Sequence, residues 1–317
     1  MSFVLRPFED QDREAVVAIQ NATTPERRVS ADEWWQFDRL LGETQYIRRR
    51  SVAVTTWGPD VVGYGAVEHM PWMFHPQKFR MTFMVHPGCR RRGIGTALYN
   101  QLTEDLRSLQ AIAVRAEVRE NQVDALAFLQ KRGFAEYERE LELRLAVADA
   151  DLALLRSVAA RVAQRGIVIN TLADERQCDP DCLRKLYELD CTSGDDSYTP
   201  ASYEEFVRHL DRRSYLSDAF FIAILGDRYV GWTRMRTSRE SEPGCLRQSF
   251  TGVRREYRRQ GIALVLKLRT IEYARQHGYT SIIAHSPHPA MIALNEKLGF
   301  RRGISALGLE KVLAPGM

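Results

Sequence analysis

Apolar positions recur every three to four residues in some stretches of the chain and alternate in others, and the two periods set the expected elements. Phe3–Leu5 reads as a short strand. Asp12–Asn21 reads as a helix with Val16, Val17 and Ile19 inward, and Asp32–Leu41 as a second helix behind Ser30, a plausible N-cap. Three strands follow, Arg50–Thr56, Val61–His69 and Phe79–Val85, with turns at Gly58-Pro59 and between Pro71 and Pro76. Ile94, Leu98, Leu102 and Leu106 recur every fourth residue and predict a helix over Gly93–Ser108 with one buried stripe. Ile112–Val118 is an expected strand, Asn121–Lys131 a helix stopped by Gly133, and Glu138–Val147 a last strand.

The same order then returns. Ile167–Leu172 is an expected strand, and Pro180–Leu189 and Tyr203–Asp211 are expected helices. Strands are predicted at Ala219–Leu225, Tyr229–Arg236 and Leu246–Val253, and a long helix over Gly261–His277. Ser281–Ala284, His288–Lys297 and Ser305–Val312 read as strand, helix and strand. Between the halves, Asp149–Gln164 carries Leu152, Leu154, Leu155, Val158 and Val162, so it reads as a connecting helix that needs a partner surface.

The return is also visible residue by residue. Gly93 and Gly261 are offset by 168 positions, as are Val62-Gly63 and Val230-Gly231, while Gly133-Phe134 and Gly299-Phe300 are offset by 166. A period this long is a duplicated domain and not a solenoid array of ~20–50-residue repeats. The expected organisation is one domain over residues 1–148, a connecting helix over 149–165 and a second domain over 166–317.

Composition adds little to this and excludes much. The 317 residues are 44% hydrophobic and 27% charged, a globular average. No apolar run reaches the ~18–20 residues of a membrane helix, and the opening MSFVLRPFEDQDRE is too acidic for a signal peptide. The expected location is cytoplasmic, with no membrane partner. Lys and Arg total 45 against 41 Asp and Glu, and the basic clusters are short, so no nucleic-acid partner is expected. The five cysteines contain no CxxC pair, so free thiols and no metal are expected.

The chemistry lies in a basic, glycine-bearing turn between a strand and a long helix. It reads Arg90-Arg91-Arg92-Gly93-Ile94-Gly95-Thr96 in the first half and Arg258-Arg259-Gln260-Gly261-Ile262-Ala263 in the second. Amides at a helix start form an anion-binding concavity backed by the helix dipole. Small residues let the backbone approach a phosphate, and arginine adds charge. A pyrophosphate is the natural guest. GxxxxGK[ST] is absent, and the element order does not fit GxGxxG after a first strand.

These turns, with Asn121 leading into a helix that ends at Gly133-Phe134, and with Met291–Phe300, resemble the GCN5-related N-acetyltransferase (GNAT) superfamily in a tandem two-domain form. The resemblance covers almost the whole chain. It implies an α/β (α+β) fold of two GNAT domains, each a mixed, splayed central sheet with helices on both faces. It implies acetyl-CoA or another acyl-CoA as cosubstrate, with no metal. The pantetheine arm would run along Met84 and Val85, or Gly252 and Val253. The pyrophosphate would meet the amides of Arg91 to Thr96, or Arg259 to Leu264. The implied reaction is direct attack of a small-molecule amine on the thioester in a ternary complex, by a monomer or homodimer.

Two familiar catalytic markers are missing. Relatives often carry a Glu on the fourth strand and a Tyr four residues before the Gly-Phe glycine. Here neither strand has a carboxylate, and the Tyr positions hold Leu129 and Asn295. The alternative is therefore a non-catalytic acyl-CoA-binding or scaffold protein built from degenerate domains. Glu68 and His69, at a strand end, are candidate bases or a solvated strand end. Of Trp34 and Trp35, one is expected to face the core, leaving the other free for an acceptor pocket. In the second half Asp196 sits in an acidic loop, which suits a cation. Trp232, Arg234 and Arg236 share one strand face, which suits an anion. The first half keeps Gly95 and Asn121 and is the favoured acyl-CoA binder.

Overall fold

The computed structural model describes residues 2–25, 28–42, 46–58, 60–70, 74–193, 202–210, 215–238 and 242–313. The first half contains β1 (Phe3–Pro7), α1 (Arg13–Thr23), α2 (Ala31–Gly42), β2 (Arg48–Thr55), β3 (Val61–Glu68), β4 (Lys78–Val85), α3 (Ile94–Ser108), β5 (Ala113–Arg119), α4 (Val123–Gln130) and β6 (Ala135–Ala146). The second contains α5 (Ala153–Ala163), β7 (Ile167–Thr171), α6 (Leu172–Cys178), α7 (Cys182–Ser193), α8 (Tyr203–Leu210), β8 (Tyr215–Leu225), β9 (Arg228–Thr237) and β10 (Cys245–Val253). It continues through α9 (Ile262–Gln276), β11 (Ser281–Ser286), α10 (Pro289–Lys297), β12 (Arg301–Arg302) and β13 (Ala306–Val312). The short helix α6 has no period to betray it, and Thr171 caps it by accepting from the Asp174 amide at 3.1 Å.

The chain folds as two compact units, and neither is contiguous in sequence. One takes Met1–Arg139 with Ala306–Met317, and the other takes Glu140–Ser238 with Glu242–Ser305. In the first unit β1 to β4 form an antiparallel run, β5 lies parallel to β4, and β13 pairs antiparallel with β5 from Ala306↔Arg119 to Val312↔Ala113. The second unit repeats the pattern with β7 to β10 and β11, and there β6 closes the sheet beside β11 from Leu141↔Ser286 to Ala146↔Ser281. Each closing strand thus comes from the other half of the sequence.

Side-chain alternation shows why. Leu143 and Leu145 of β6 point into the core of the second unit with Ile262, Leu266 and Ile282. Leu307 and Leu309 of β13 point into the core of the first with Phe79, Leu102 and Val114. Ser305–Val312 is a strand as its alternation predicts, but its neighbours are β5 and β6 and not strands of the second half.

In the first unit the α3 stripe of Ile94, Leu98, Leu102 and Leu106 is at most 1% exposed and covers one sheet face. Val16 of α1 and Trp34 of α2 cover the other with Val52, Val54 and Tyr64. In the second unit α5 and α9 share one face, and α6, α7 and α8 pack on the opposite one. Among the described residues no helix is long and apolar enough to cross a membrane, and no cluster of His, Cys, Asp or Glu is placed to hold a metal ion.

Candidate functional site

Each basic turn follows the strand that loses a neighbour. β4 and β5 pair only from Lys78↔Ala113 to Arg80↔Arg115, so β4 runs on from Met81 to Val85 without β5 beside it. β10 and β11 pair only as far as Gln248↔Ala284. The result in each unit is a strand edge with unused backbone groups, open to an extended ligand. Met84 and Val85 are half-buried on that strand in the first unit, and Gly252 and Val253 are buried on it in the second.

At the end of the open edge the chain turns in the same way twice. Arg91 and Arg259 both hold φ at 61°, a left-handed conformation that non-glycine residues rarely keep. Gly93 and Gly261, at φ 83° and 86°, are the N-caps of α3 and α9. The first helical amides to bond back are Ala97 to Gly93 and Val265 to Gly261, both at 2.9 Å. The amides of Gly93 to Thr96 and of Gly261 to Leu264 therefore lie ahead of the helical ladder, pooled at one end. Arg90 and Arg258 do not reach outward. Their Nε atoms donate to the carbonyls of Val85 at 3.4 Å and Val253 at 3.0 Å, tying turn to strand. Exposed Arg91 pairs with Asp124 at 2.8 Å.

The two turns differ in their surroundings. A Cβ built on Gly93 would meet nothing within 4 Å, and one on Gly95 only Val85 at 3.7 Å. A Cβ on Gly261 would meet Val158 and Val162 of α5, both at 3.7 Å, and Arg165 just beyond α5 donates to Gln260 at 2.9 Å. Asn121 is exposed two residues ahead of α4. Ile262 is buried and Ala263 half-buried on α9.

The second unit alone interrupts the strand beside its opening. β10 slips against β9 between Gln248↔Met235 and Phe250↔Arg234, so Ser249 has no opposite residue. The equivalent pairing of β4 with β3 is regular from Gly63↔Val85 to Glu68↔Arg80. The Ser249 hydroxyl is buried without a hydrogen-bond partner. So are both side-chain heteroatoms of Asn295, which is fully buried on α10 at one of the positions where relatives carry Tyr. The other such position, Leu129, is core. On the α9 side, Lys267 is buried and donates to Gln248, whose amide donates to Thr233 at 3.0 Å. Burial alone brings the Lys267 pKa down to about 7.

Glu68 and His69 are committed elsewhere. Glu68 is held between Arg80 and Arg48, the latter at 3.0 Å, and Arg48 and Arg50 also share Asp38. Glu68 faces those arginines across the register as Arg48↔Glu68 and Glu68↔Arg80. His69 accepts at Nδ1 from the Ile47 amide and donates from Nε2 to the Pro76 carbonyl, both at 3.1 Å. Its ring stacks on Phe79 at 4.4 Å, and burial holds its pKa below 6.5. Glu68 is thus buried between two arginines, and both ring nitrogens of His69 are hydrogen-bonded to backbone. The solvated strand end is corrected: both residues end the strand buried and bonded.

Trp34 packs on Phe8 at 6.0 Å and Tyr64 at 6.3 Å, and Arg13 lies 3.5 Å over the Trp35 ring. Trp34 is the one that joins the core, and Trp35 is half-buried outside it under Arg13. Trp232 is fully buried between Phe220 and Phe250. Asp196 lies outside the described residues.

The sequence model of the Acetyltransferase (GNAT) family matches residues 14–134 and again 183–300. The chain belongs to the GNAT acetyltransferase family. The GNAT assignment carries an acyl-transfer function, and both matches span the open strand and its turn. The fold is similar to a solved GNAT protein of Sphaerobacter thermophilus, with TM-score 0.74 and 17% identity over 99% of this chain and 97% of that one. It is likewise similar to a tandem GNAT protein from the clavulanic acid biosynthesis pathway, with TM-score 0.75 and 18% identity over 99% of both chains. A third GNAT likeness is to the glucosamine N-acetyltransferase region of a fungal multi-domain β-N-acetylglucosaminidase, at TM-score 0.74 and 16% identity. It covers 97% of this chain and 38% of that one. No curated protein matches this GNAT sequence.

Proposed function

We propose that this chain is an acetyl-CoA-dependent N-acetyltransferase for a small-molecule amine, with its chemistry in the second unit. The observation that carries the reading is a continuous track in each unit. An open strand edge leads to a left-handed turn, and the turn leads to free helix-start amides. An acyl-CoA has the matching parts: a pantetheine amide chain that can pair with an edge and a pyrophosphate that needs donors.

The second unit has two features the first lacks. The bulge at Ser249 frees backbone groups from the β9 ladder beside the opening. A tetrahedral intermediate needs a donor for its oxyanion, and a fixed backbone group serves this without reorganisation. Asn295 brings an unpaired amide to the buried position where a Tyr is often found in relatives. In this mechanism the neutral amine attacks the thioester carbonyl. The carbon–sulfur bond then breaks, and the amine's proton leaves to solvent while the thiolate takes one up. Holding both reactants supplies much of the barrier reduction.

The first unit supports the second reading, binding without chemistry. Its β4 register is unbroken, and Leu129 sits in the core at its acid position. Its open turn suits acyl-CoA binding alone.

The test is thiol release from acetyl-CoA with an amine panel, together with calorimetric CoA titration. Two CoA molecules per chain and turnover with some amine are expected. Tight CoA binding with no turnover on any amine would leave only the binding role.

A further inference from the structure

On β9, Trp232 and Arg234 point to the α7–α8 face of the second unit, and alternate residues Thr233 and Met235 point to the α9 face. Trp232 has no exposed surface, and its Nε1–H finds no acceptor. The Nε–H of half-buried Arg234 is also buried and unpartnered. An unmet buried donor is uncommon in folded proteins, because it has given up its bond to water for nothing. Two such donors on adjacent positions of one strand face need a shared explanation.

Arg234 also sits against aromatic rings. Its guanidinium carbon lies 5.0 Å from the Tyr215 ring centroid and 5.2 Å from that of Trp232. Among the described residues no carboxylate pairs with it. The Tyr215 hydroxyl is itself engaged with His209 Nε2 at 2.9 Å. The aromatic rings fix the cation in place without neutralising it. Arg234 lies opposite Phe250, the residue after the bulge, and the Phe250 ring is 4.7 Å from Trp232. The two orphan donors and the orphan Ser249 hydroxyl therefore gather where β10 departs from its ladder.

The geometry points to a carboxylate-binding subsite formed by the Trp232 indole N–H and the Arg234 guanidinium, so that the acceptor is an amino acid or another amine that carries a carboxylate. This rests on the reading of the second unit as the catalytic one. A carboxylate matches the donors in charge and in number: one guanidinium, one neutral N–H and two acceptor oxygens. A phosphate dianion would leave half of its charge unmet. With hydrogen bonds of about 2.9 Å to each oxygen, a carboxylate spans two donors several ångströms apart. Anchored there, the acceptor stands beside the bulge, where its amine can meet the thioester.

The test compares the twenty N-acetyl-L-amino acids, as product mimics, with their carboxamides by calorimetry on the full chain, alongside acetyl-CoA turnover of the free amino acids and their amides. The best acids should bind about ten- to a hundredfold more tightly than their amides, as expected for a charge-assisted contact. Arg234→Met should erase that preference, and Trp232→Phe, which keeps the packed ring, should reduce it. Thermal melts check that both variants fold. Equal binding of acids and amides, no binding of either, an acid preference untouched by both variants, or preference for O-phosphoethanolamine as acceptor would overturn the subsite. Binding with the acid preference but no turnover would sink the transferase reading and leave the subsite standing.

Discussion

Lys267 sends its ammonium from α9 into the interior of the second unit and donates it to Gln248 on β10, with no carboxylate in contact among the described residues. An unpaired buried ammonium is stable only if it can shed its proton. Its pKa falls from 10.5 to about 7, so between these values the unfolded chain binds more protons than the folded one. Stability from this residue therefore rises with pH across that window, by at most about 1.4 kcal/mol per pH unit, and is lowest below pH 7. Lys267→Met should flatten the slope. Urea midpoints at intervals from pH 6.5 to 9.5 test this, and parallel wild-type and variant curves would refute it.

The twin turns predict separable losses. Gly93→Val and Gly261→Val each place a branched side chain at a left-handed φ and should each remove one CoA site in calorimetry. Only Gly261→Val should abolish turnover. Loss of turnover with Gly93→Val alone would move the chemistry to the first unit.

The bulge at Ser249 is expected to act through its backbone. Deleting Ser249 restores the β9–β10 register, so fold stability should hold or rise while kcat falls by about 100-fold. Ser249→Ala should change kcat far less. Equal effects of the two would assign the role to the hydroxyl.

Glu68 and His69 should prove structural. Glu68→Gln removes the shared partner of Arg48 and Arg80 and should cost about 3 kcal/mol. Its kcat should stay within a factor of about two where the protein is folded. His69 has its pKa held below 6.5, so the folded state binds fewer protons than the unfolded one under acid. Stability is expected to fall as pH drops below 6.5, and His69→Gln should weaken that fall. A kcat–pH profile shifted by either substitution would restore a catalytic role.

A chain ending at residue 305 lacks β13 and should open the first unit alone. Its loss exposes Ala116, Val118 and Leu129, which pack in the same core as Leu307 and Leu309. Hydrogen exchange should quicken in β5 and α4 and stay slow in β10 and β11. Uniform quickening would mean that β13 supports both units.

Much of this was legible because it is local. The α3 stripe needs only the helical period, and the turn needs only a glycine beside arginines, seen twice. What was hidden depends on pairing between distant residues. Leu307 and Leu309 mark a buried strand face without naming the sheet. Glu68 looks like a loose strand end until the register sets Arg48 and Arg80 against it. The Ser249 bulge leaves no mark in composition, since a slipped ladder and a regular one can use the same residues. Arg234 and Trp232 were visible as one face, but only the fold shows that the Arg234 Nε–H and the Trp232 Nε1–H are buried without a hydrogen-bond partner.

The exchanged closing strands also set an order of assembly. Residues 141–146 are made before the sheet they complete, whereas residues 306–312 are made long after β5. At about 5–20 residues per second, β5 waits on the order of ten seconds or more for its neighbour during synthesis. The half that is made first is thus finished last, and its exposed edge is a period of exposure to aggregation or chaperones that a simple tandem arrangement would avoid.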